Sequence, residues 1–264
     1  MSILDMFKLD GRNAIVTGAA QGLGKAMAQA LGEAGANVAI VDINLDLAKD
    51  VAGEFSERLG RKFIAIKADV TVKEEVDRMV EDVISGLGCI DILVNNAGGH
   101  SPSACGLLEK ETLAGWNDFI SSNLTGTFLM LREYAKLMMP KGHGCIINIA
   151  SIAGLVGRDR RIYRDDMTPN PIAYSAAKAG VIGLSRDVAA YLGPYGIRVN
   201  TISPGGFQRN QPKHFIQDYA ELTMLRRMGQ SGDLGGAVVF LASEAAKYIT
   251  GHNLVLDGGF TEIK

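Results

Sequence analysis

These 264 residues lack most of what would place a chain in a special class. Cysteine is scarce: Cys89, Cys105 and Cys145 are odd in number and show no metal-ligand spacing, so they read as reduced thiols of a cytoplasmic protein. Only seven prolines occur, and there is no block of like charge, internal repeat or low-complexity stretch, so no linker or charged tail is expected. With a net charge of -2, no basic surface for nucleic acid is implied. No stretch of about 18 apolar residues exists, which excludes a helical membrane span. The opening MSILDMFKLDGR carries Asp5 and Asp10 and no long apolar core, so no signal peptide is expected. Against these absences stand 47% hydrophobic residues, 21% charged residues and 32 glycines. That balance is ordinary for a globular chain and predicts one domain over residues 1–264.

The glycines are concentrated where chemistry can use them. Ala14-Ile15-Val16 reads as a buried parallel strand, and Thr17-Gly18-Ala-Ala-Gln21-Gly22-Leu23-Gly24 follows it. A helix with Leu23, Met27, Ala30, Leu31 and Ala34 on its apolar face runs on to about Gly35. A glycine turn between a strand and a helix N-terminus presents backbone N–H groups to an anion and lets a pyrophosphate approach closely. The next strand, Val38–Val41, ends in Asp42, placed to accept a ribose 2′-hydroxyl and to repel a 2′-phosphate. No Lys or Arg lies between Gly18 and Gly24, so NAD is expected over NADP.

Strand and helix patterns then alternate: helix Leu45–Leu59, strand Phe63–Lys67, helix Lys73–Ile84, strand Ile90–Val94. This predicts an α/β Rossmann-type doubly wound parallel sheet with helices on both faces. Ligands of such sheets lie beyond the strand carboxyl ends, where Asp69-Val70, Asn95-Asn96-Ala97-Gly98 and Asn148-Ile-Ala-Ser151 fall. Farther on, Ile172–Leu192 reads as one helix carrying Tyr174 and Lys178 four positions apart, hence on one face. A lysine so placed is expected to lower the tyrosine's pKa and fit it for acid–base work. No metal cluster and no Ser/His/Asp pattern competes with that pair.

Taken together and in order, these pieces resemble the short-chain dehydrogenase/reductase family in its single-domain form. The quoted residues are Thr17-Gly18-x-x-x-Gly22-x-Gly24, Asp69, Asn95-Asn96-Ala97-Gly98, Asn123, Ser151, Tyr174-x-x-x-Lys178, Pro204-Gly205 and Asp257-Gly258-Gly259. The resemblance covers nearly the whole chain. It implies an NAD-dependent oxidoreductase that interconverts a secondary alcohol and a ketone. Tyr174 would be the general acid/base, Ser151 the substrate's hydrogen-bond partner, and Lys178 the residue that assists Tyr174 and holds the nicotinamide ribose. Asn123, on a helix from about Trp116 to Met139, would anchor a proton-relay water. Cofactor contacts would come from Thr17, Gly18, Gln21, Gly22, Leu23 and Gly24, then Asp42, Asp69 and Val70. Asn96, Ala97, Gly98, Pro204 and Gly205 would complete them, with Tyr174 and Lys178. The resemblance also implies a homotetramer or homodimer.

Two departures bear on the substrate. Arg209 stands where the family often has a threonine, five positions after Pro204. The interval from Ser151 to Tyr174 is longer than the family resemblance implies, and the added residues 157–170 hold Arg158, Arg160, Arg161 and Arg164 with Asp159, Asp165 and Asp166. A loop grafted beside an active site commonly carries specificity. One or more of these arginines is expected to bind an anionic or polyhydroxylated substrate such as a sugar acid or polyol. The other reading is a solvated surface loop whose mixed charges pair with each other or with a neighbouring subunit. Residues 206–227 are expected to form a lid, with Phe207 and the loop residue His100 as further substrate candidates. A β-ketoacyl thioester reductase and a non-catalytic NAD-binding regulatory protein are the alternative functions.

Overall fold

The short β-branched runs pair side by side as seven parallel strands. A computed structural model describes residues 2–99, 106–164 and 167–262. The strands are β1 (Asn13–Thr17), β2 (Asn37–Asp42), β3 (Phe63–Lys67), β4 (Ile92–Asn95), β5 (Gly144–Ile149), β6 (Ile197–Pro204) and β7 (Asn253–Leu256), in the order β3-β2-β1-β4-β5-β6-β7. Each strand sends alternate side chains to opposite faces, and both faces are covered. Ala14, Val16, Val38, Ile40, Ile92 and Val94 enter one core, while Ile15, Ala39, Val41 and Leu93 enter the other.

Helices α1 (Gly22–Glu33), α2 (Leu45–Leu59) and α8 (Ser231–Ala242) seal the first face through Met27, Leu31, Phe55, Leu234 and Val238. Helices α3 (Lys73–Leu87), α5 (Gly126–Met138) and α6 (Ile172–Leu192) seal the second through Val76, Met79, Met130, Tyr134 and Leu192. Each large apolar side chain buried this way contributes about 1.5–3 kcal/mol. The pattern that made each strand a continuous hydrophobic run is therefore the same one that forces helices onto both faces.

Two further helices stand nearer the strand carboxyl ends: α4 (Leu113–Ile120) and α7 (Lys213–Glu221). Between α4 and α5 the chain makes a π turn, Ser121–Thr125, so the helix expected from Trp116 to Met139 begins at Leu113 and is interrupted around Asn123. The chain leaves β1 toward β2 and β3 on one side, and returns to pair β4 on the other. That reversal opens a crevice at the carboxyl ends of β1 and β4, the place where such sheets take ligands. No helix among the described residues is long and apolar enough to cross a membrane. Of the cysteines, Cys145 is buried with its Sγ on the Leu241 carbonyl, Cys89 is exposed, and Cys105 lies outside the described residues.

Candidate active site

A cleft of about 760 Å³ occupies the crevice. Its floor is main chain. Gly22 adopts φ +58°, a conformation that costs an L side chain energy, and a Cβ on Gly24 would run into the Gly18 carbonyl. Both constraints keep the turn thin enough for backbone N–H groups at the α1 N-terminus to face a ligand. Gln21, at the helix N-cap, makes no capping hydrogen bond, so those N–H groups have no side-chain acceptor from it. An open, glycine-floored cradle at a helix N-terminus fits the pyrophosphate of a dinucleotide. Gly18, Gln21, Gly22, Leu23 and Gly24 line this cleft, as do Asp42, Asp69, Val70, Asn96, Ala97 and Gly98.

Several of these residues also brace the cleft. Thr17 sits beneath the turn, where its Oγ accepts from the N–H groups of Asn96 and Ala97, both at 3.0 Å. Asn96 turns its carboxamide back, donating to the carbonyls of Thr17 at 2.9 Å and Gly18 at 3.0 Å. Asp42 accepts from the N–H groups of Ala20 and Asn44, each at 3.1 Å, so its carboxylate is fixed at the cleft edge. Asp69 accepts from the N–H of Thr71 at 2.8 Å and from its hydroxyl at 2.7 Å. Each carboxylate thus has a defined orientation and retains unused lone pairs.

Ser151 and Tyr174 line a second cavity of about 210 Å³, and Asn123 and Lys178 stand beside Gly98 of the cleft. A buried relay sets their platform: Asn95 Nδ2 donates to Asn148 Oδ1 at 2.8 Å, Asn148 Nδ2 to Ser185 Oγ at 2.8 Å, and Ser185 Oγ to the Val181 carbonyl at 2.6 Å. This ties β4, β5 and α6 together at one depth. Ser151, just beyond β5, accepts from the Ala153 N–H at 3.1 Å. Tyr174 stands in the first turn of α6, its ring edge-on to Phe119 at 6.3 Å. Lys178 is 5% exposed, with Nζ donating to the Ile149 carbonyl at 2.9 Å and lying 5.7 Å from the Tyr174 ring centroid. Asn123 is 2% exposed. Its Nδ2 donates to the Phe119 carbonyl at 3.2 Å and to Ser122 Oγ at 3.0 Å. A Cβ built on Gly98 would lie 2.5 Å from Asn123 Oδ1 and 3.7 Å from Lys178 Nζ, so Gly98 separates these two groups by little more than its own backbone.

The electrostatics differ from the sequence expectation. Burial raises the Tyr174 pKa, and the opposing pull comes from hydrogen bonding with Ser151 and from the charges of Arg158 and Arg209. Lys178, expected to lower it, is itself depressed by burial to about 8 and is turned to the Ile149 carbonyl. The physical reason is depth: an ammonium removed from water loses solvation that one carbonyl does not replace.

The insert divides its arginines. Arg161 pairs with Asp159 at 2.5 Å and Arg164 with Asp218 of α7 at 2.8 Å, while Arg160 donates to the Gly106 carbonyl at 3.2 Å. Only Arg161 pairs with a charge of the insert itself; Arg164 is neutralised from the lid and Arg160 meets a backbone carbonyl. Arg158 is different: half-buried, it lines the smaller cavity with its guanidinium 6.0 Å from the Tyr174 ring centroid. It donates to the Asn170 carbonyl, to the Pro171 carbonyl at 3.2 Å and to Ser175 Oγ at 2.8 Å. Phe207 departs from its expected substrate role. It is 7% exposed and packs into the α1–α8 core against Gly229, because the chain leaving β6 turns that side chain inward. His100, Asp165 and Asp166 lie outside the described residues.

Phe215 and Tyr219 of the expected lid line the smaller cavity, together with Tyr163 and Phe260, which the sequence did not single out. With Ile162 and Met228 they form a satellite core that locks insert to lid. Gly205 also borders this cavity, whereas Pro204 ends β6 as a buried residue. Among the described residues, no cluster of three or more His, Cys, Asp or Glu side chains is placed to hold a metal.

Residues 18–261 match the family profile described as enoyl-(acyl carrier protein) reductase. The 3-oxoacyl-[acyl-carrier-protein] reductase FabG of Staphylococcus epidermidis is 36% identical over 255 residues, covering 94% of this chain and 98% of that one. The D-threitol dehydrogenase of Mycolicibacterium smegmatis is 37% identical over 261 residues, covering 97% and 95%. Among solved structures, a short-chain type dehydrogenase/reductase from Mycobacterium marinum superposes with a TM-score of 0.87 at 36% identity, covering 99% of each chain. A gluconate 5-dehydrogenase from Burkholderia cenocepacia J2315, in complex with NADP and tartrate, superposes with a TM-score of 0.89 at 33% identity, covering 100% of each.

Proposed function

We propose a specific reaction for this chain, which belongs to the short-chain dehydrogenase/reductase family: NAD-dependent interconversion of a polar secondary alcohol and its ketone, the substrate being a sugar acid, polyol or similar compound. The observation that carries this reading is the meeting of Ser151 and Tyr174, on the small cavity, with Asn123 and Lys178, around Gly98 on the large cleft. A nicotinamide cofactor, when bound, supplies the hydride acceptor or donor. Tyr174 Oη takes the hydroxyl proton during oxidation and returns one during reduction. Ser151 Oγ orients the substrate oxygen toward it. Lys178 brings a cation beneath that proton path, and Asn123 Oδ1 offers an acceptor where a water can connect Lys178 to solvent. The satellite core of insert and lid gives the small cavity an apolar wall. The exposed Leu113, Trp116 and Phe128 on α4 and α5 support self-association into a dimer or tetramer.

Asp42 supports the preference for NAD. Its carboxylate is held at the cleft edge by two N–H groups, so it cannot turn away from a ribose without breaking them. The B. cenocepacia neighbour was solved with NADP, so support for NAD comes from Asp42 alone and not from that likeness. Asp42→Ser is expected to raise the NADP-to-NAD ratio of kcat/KM by at least about 10-fold, since it removes a like charge from the place a 2′-phosphate would take. Initial rates with both cofactors measure it. An unchanged ratio would mean that the carboxylate serves only the turn.

Substrate polarity rests on Arg158. A half-buried guanidinium with no acidic partner among the described residues, facing a cavity beside Tyr174, is suited to a carboxylate. Arg158→Ala is expected to raise KM about 10- to 100-fold for a sugar acid and to leave that of a neutral polyol within about 3-fold. Equal effects on both would refute the assignment. A β-ketoacyl thioester substrate is the second reading, favoured by the FabG similarity. The small cavity's volume of about 210 Å³ suits a compact substrate better than a long acyl chain.

A further inference from the structure

The opposite end of the sheet carries a second concentration of charge. All seven strands run in one direction, so their amino ends lie together, away from the catalytic cleft. There a cavity of about 530 Å³ opens between the starts of β4, β5 and β6 and the segment that joins α8 to β7. The length of β5, roughly 20 Å, separates it from Ser151. Its charged lining is Arg12, His143, Arg198 and Lys247 with two carboxylates, Asp91 and Glu244, and Lys141 stands beside Asp91. Arg12, Lys141, Arg198 and Lys247 outnumber those carboxylates, a positive surplus in a chain whose net charge is -2.

The carboxylates leave much of that charge unmatched. Asp91 is 7% exposed, and one of its oxygens accepts from the Asn13 N–H at 2.9 Å. Around the other stand Arg12 at 3.7 Å, Lys141 at 3.6 Å and His143 at 3.7 Å, all beyond direct hydrogen-bond reach. Arg12 gives one hydrogen bond to Glu244 at 3.2 Å and Lys141 one to the Ile90 carbonyl at 2.9 Å, so both keep open donors. Arg198 is half-buried and pinned, its Nη atoms donating to the carbonyls of Leu241 at 2.8 Å and Ser243 at 3.2 Å. Those bonds finish the α8 C-terminus without neutralising the guanidinium. No acidic side chain among the described residues forms an ion pair with Arg198 or Lys247. Thr250 Oγ accepts from the Val199 N–H at 3.1 Å, which leaves its hydroxyl proton to donate.

We propose that this cavity binds a compact dianion, a phosphate monoester or a dicarboxylate, at the amino ends of β4, β5 and β6. Arg198 is the oriented cation of the site, Arg12 and Lys247 close on the ligand from the rim, and Thr250 adds a neutral donor. Acid groups with several oxygens suit guanidinium donors already held in place. The volume lies in the range of small-molecule sites. No residue of this cavity lines the cleft or the small cavity, so its occupant meets none of the groups that carry the hydride chemistry.

Titration calorimetry of NAD-saturated Arg158→Ala protein tests the site, with methyl phosphate, succinate and succinamide as probes. NAD fills the glycine turn, and the substitution removes the arginine of the small cavity. At least one of the two anions should bind with a Kd of about 1 mM or below, and more weakly as salt rises. Succinamide, of similar shape without charge, should not bind. The tighter anion identifies the ligand as a phosphate ester or a dicarboxylate. Adding Lys247→Glu, a change at an exposed side chain, should weaken that anion at least about 10-fold, and Lys247→Gln by about 3-fold or more. Succinamide binding as well as succinate, no binding of either anion, or an affinity within about 2-fold of the parent in Lys247→Glu would each overturn the site. If NAD fails to bind, the cofactor reading falls, while the difference between Lys247 and Glu at this position still decides the anion site.

Discussion

Tyr174→Phe lowers kcat by about 100- to 10,000-fold in both directions while NAD binds within about 2-fold of wild type. The substitution removes one oxygen. The ring, its edge-on contact with Phe119 at 6.3 Å and the first turn of α6 all stay. What is lost is the phenol beside Ser151 and Lys178 that exchanges a proton with a substrate oxygen. Burial holds that phenol above its usual pKa, so at neutral pH it is protonated in the free enzyme. Reduction uses the protonated form and should be flat near neutrality, falling at high pH. Oxidation uses the deprotonated form and should climb with pH across the neutral range. Arg158 and Arg209 oppose the rise, so removing either should push the oxidation limb further alkaline. The measurement is the rate of absorbance change at 340 nm against pH in each direction, with cofactor binding followed separately by fluorescence. Retained turnover in the phenylalanine variant would place the proton transfer elsewhere.

The parts of this site that could be read from the sequence are those where local period and local chemistry coincide. Strand and helix are distinguished by whether apolar residues recur at two or at three and four, and helices α2 and α6 and strand β3 begin and end where that pattern predicts. Gly18, Gly22 and Gly24 announce their turn because only glycine tolerates it. The remainder depends on partners distant in sequence. Nothing in Ser121-Ser-Asn-Leu-Thr125 distinguishes a π turn from an α-helical one, because both accept the same residues. Arg158 and Arg164 are alike in composition. One lines the cavity, and the other pairs with Asp218, 54 positions away. Phe207 lies in irregular chain, where no period fixes which way a side chain points. Asn96 was placed along the cofactor cleft, and its carboxamide is nevertheless spent holding the carbonyls of Thr17 and Gly18. That role shows only once β1 and β4 are seen as neighbours.

Lys178→Met should separate activity from stability in opposite directions. The ammonium is 5% exposed, and its pKa falls from the ordinary 10.5 to about 8. Below pH 8 the folded protein carries this charge in a poorly solvating site, a penalty of about 3 kcal/mol relative to the unfolded chain. The sign follows from proton binding. Between about 8 and 10.5 the unfolded chain holds a proton that the folded one releases, so the penalty relaxes as pH rises and is gone above that window. Methionine matches the length without the charge and forfeits the hydrogen bond to the Ile149 carbonyl, worth about 1 kcal/mol. The variant should therefore unfold about 1–2 kcal/mol less readily than wild type at pH 7, and the gap should close by pH 10. Its kcat/KM should fall at least about 100-fold, since no cation remains beneath the proton path. Urea unfolding of the cofactor-free proteins at pH 7 and pH 10, beside steady-state rates, tests both halves. A variant that is less stable at pH 7, with the same pH dependence as wild type, would make Lys178 a structural tie between α6 and β5. A variant that is more stable and inactive would mean that the fold tolerates a poorly solvated charge because the chemistry needs it there.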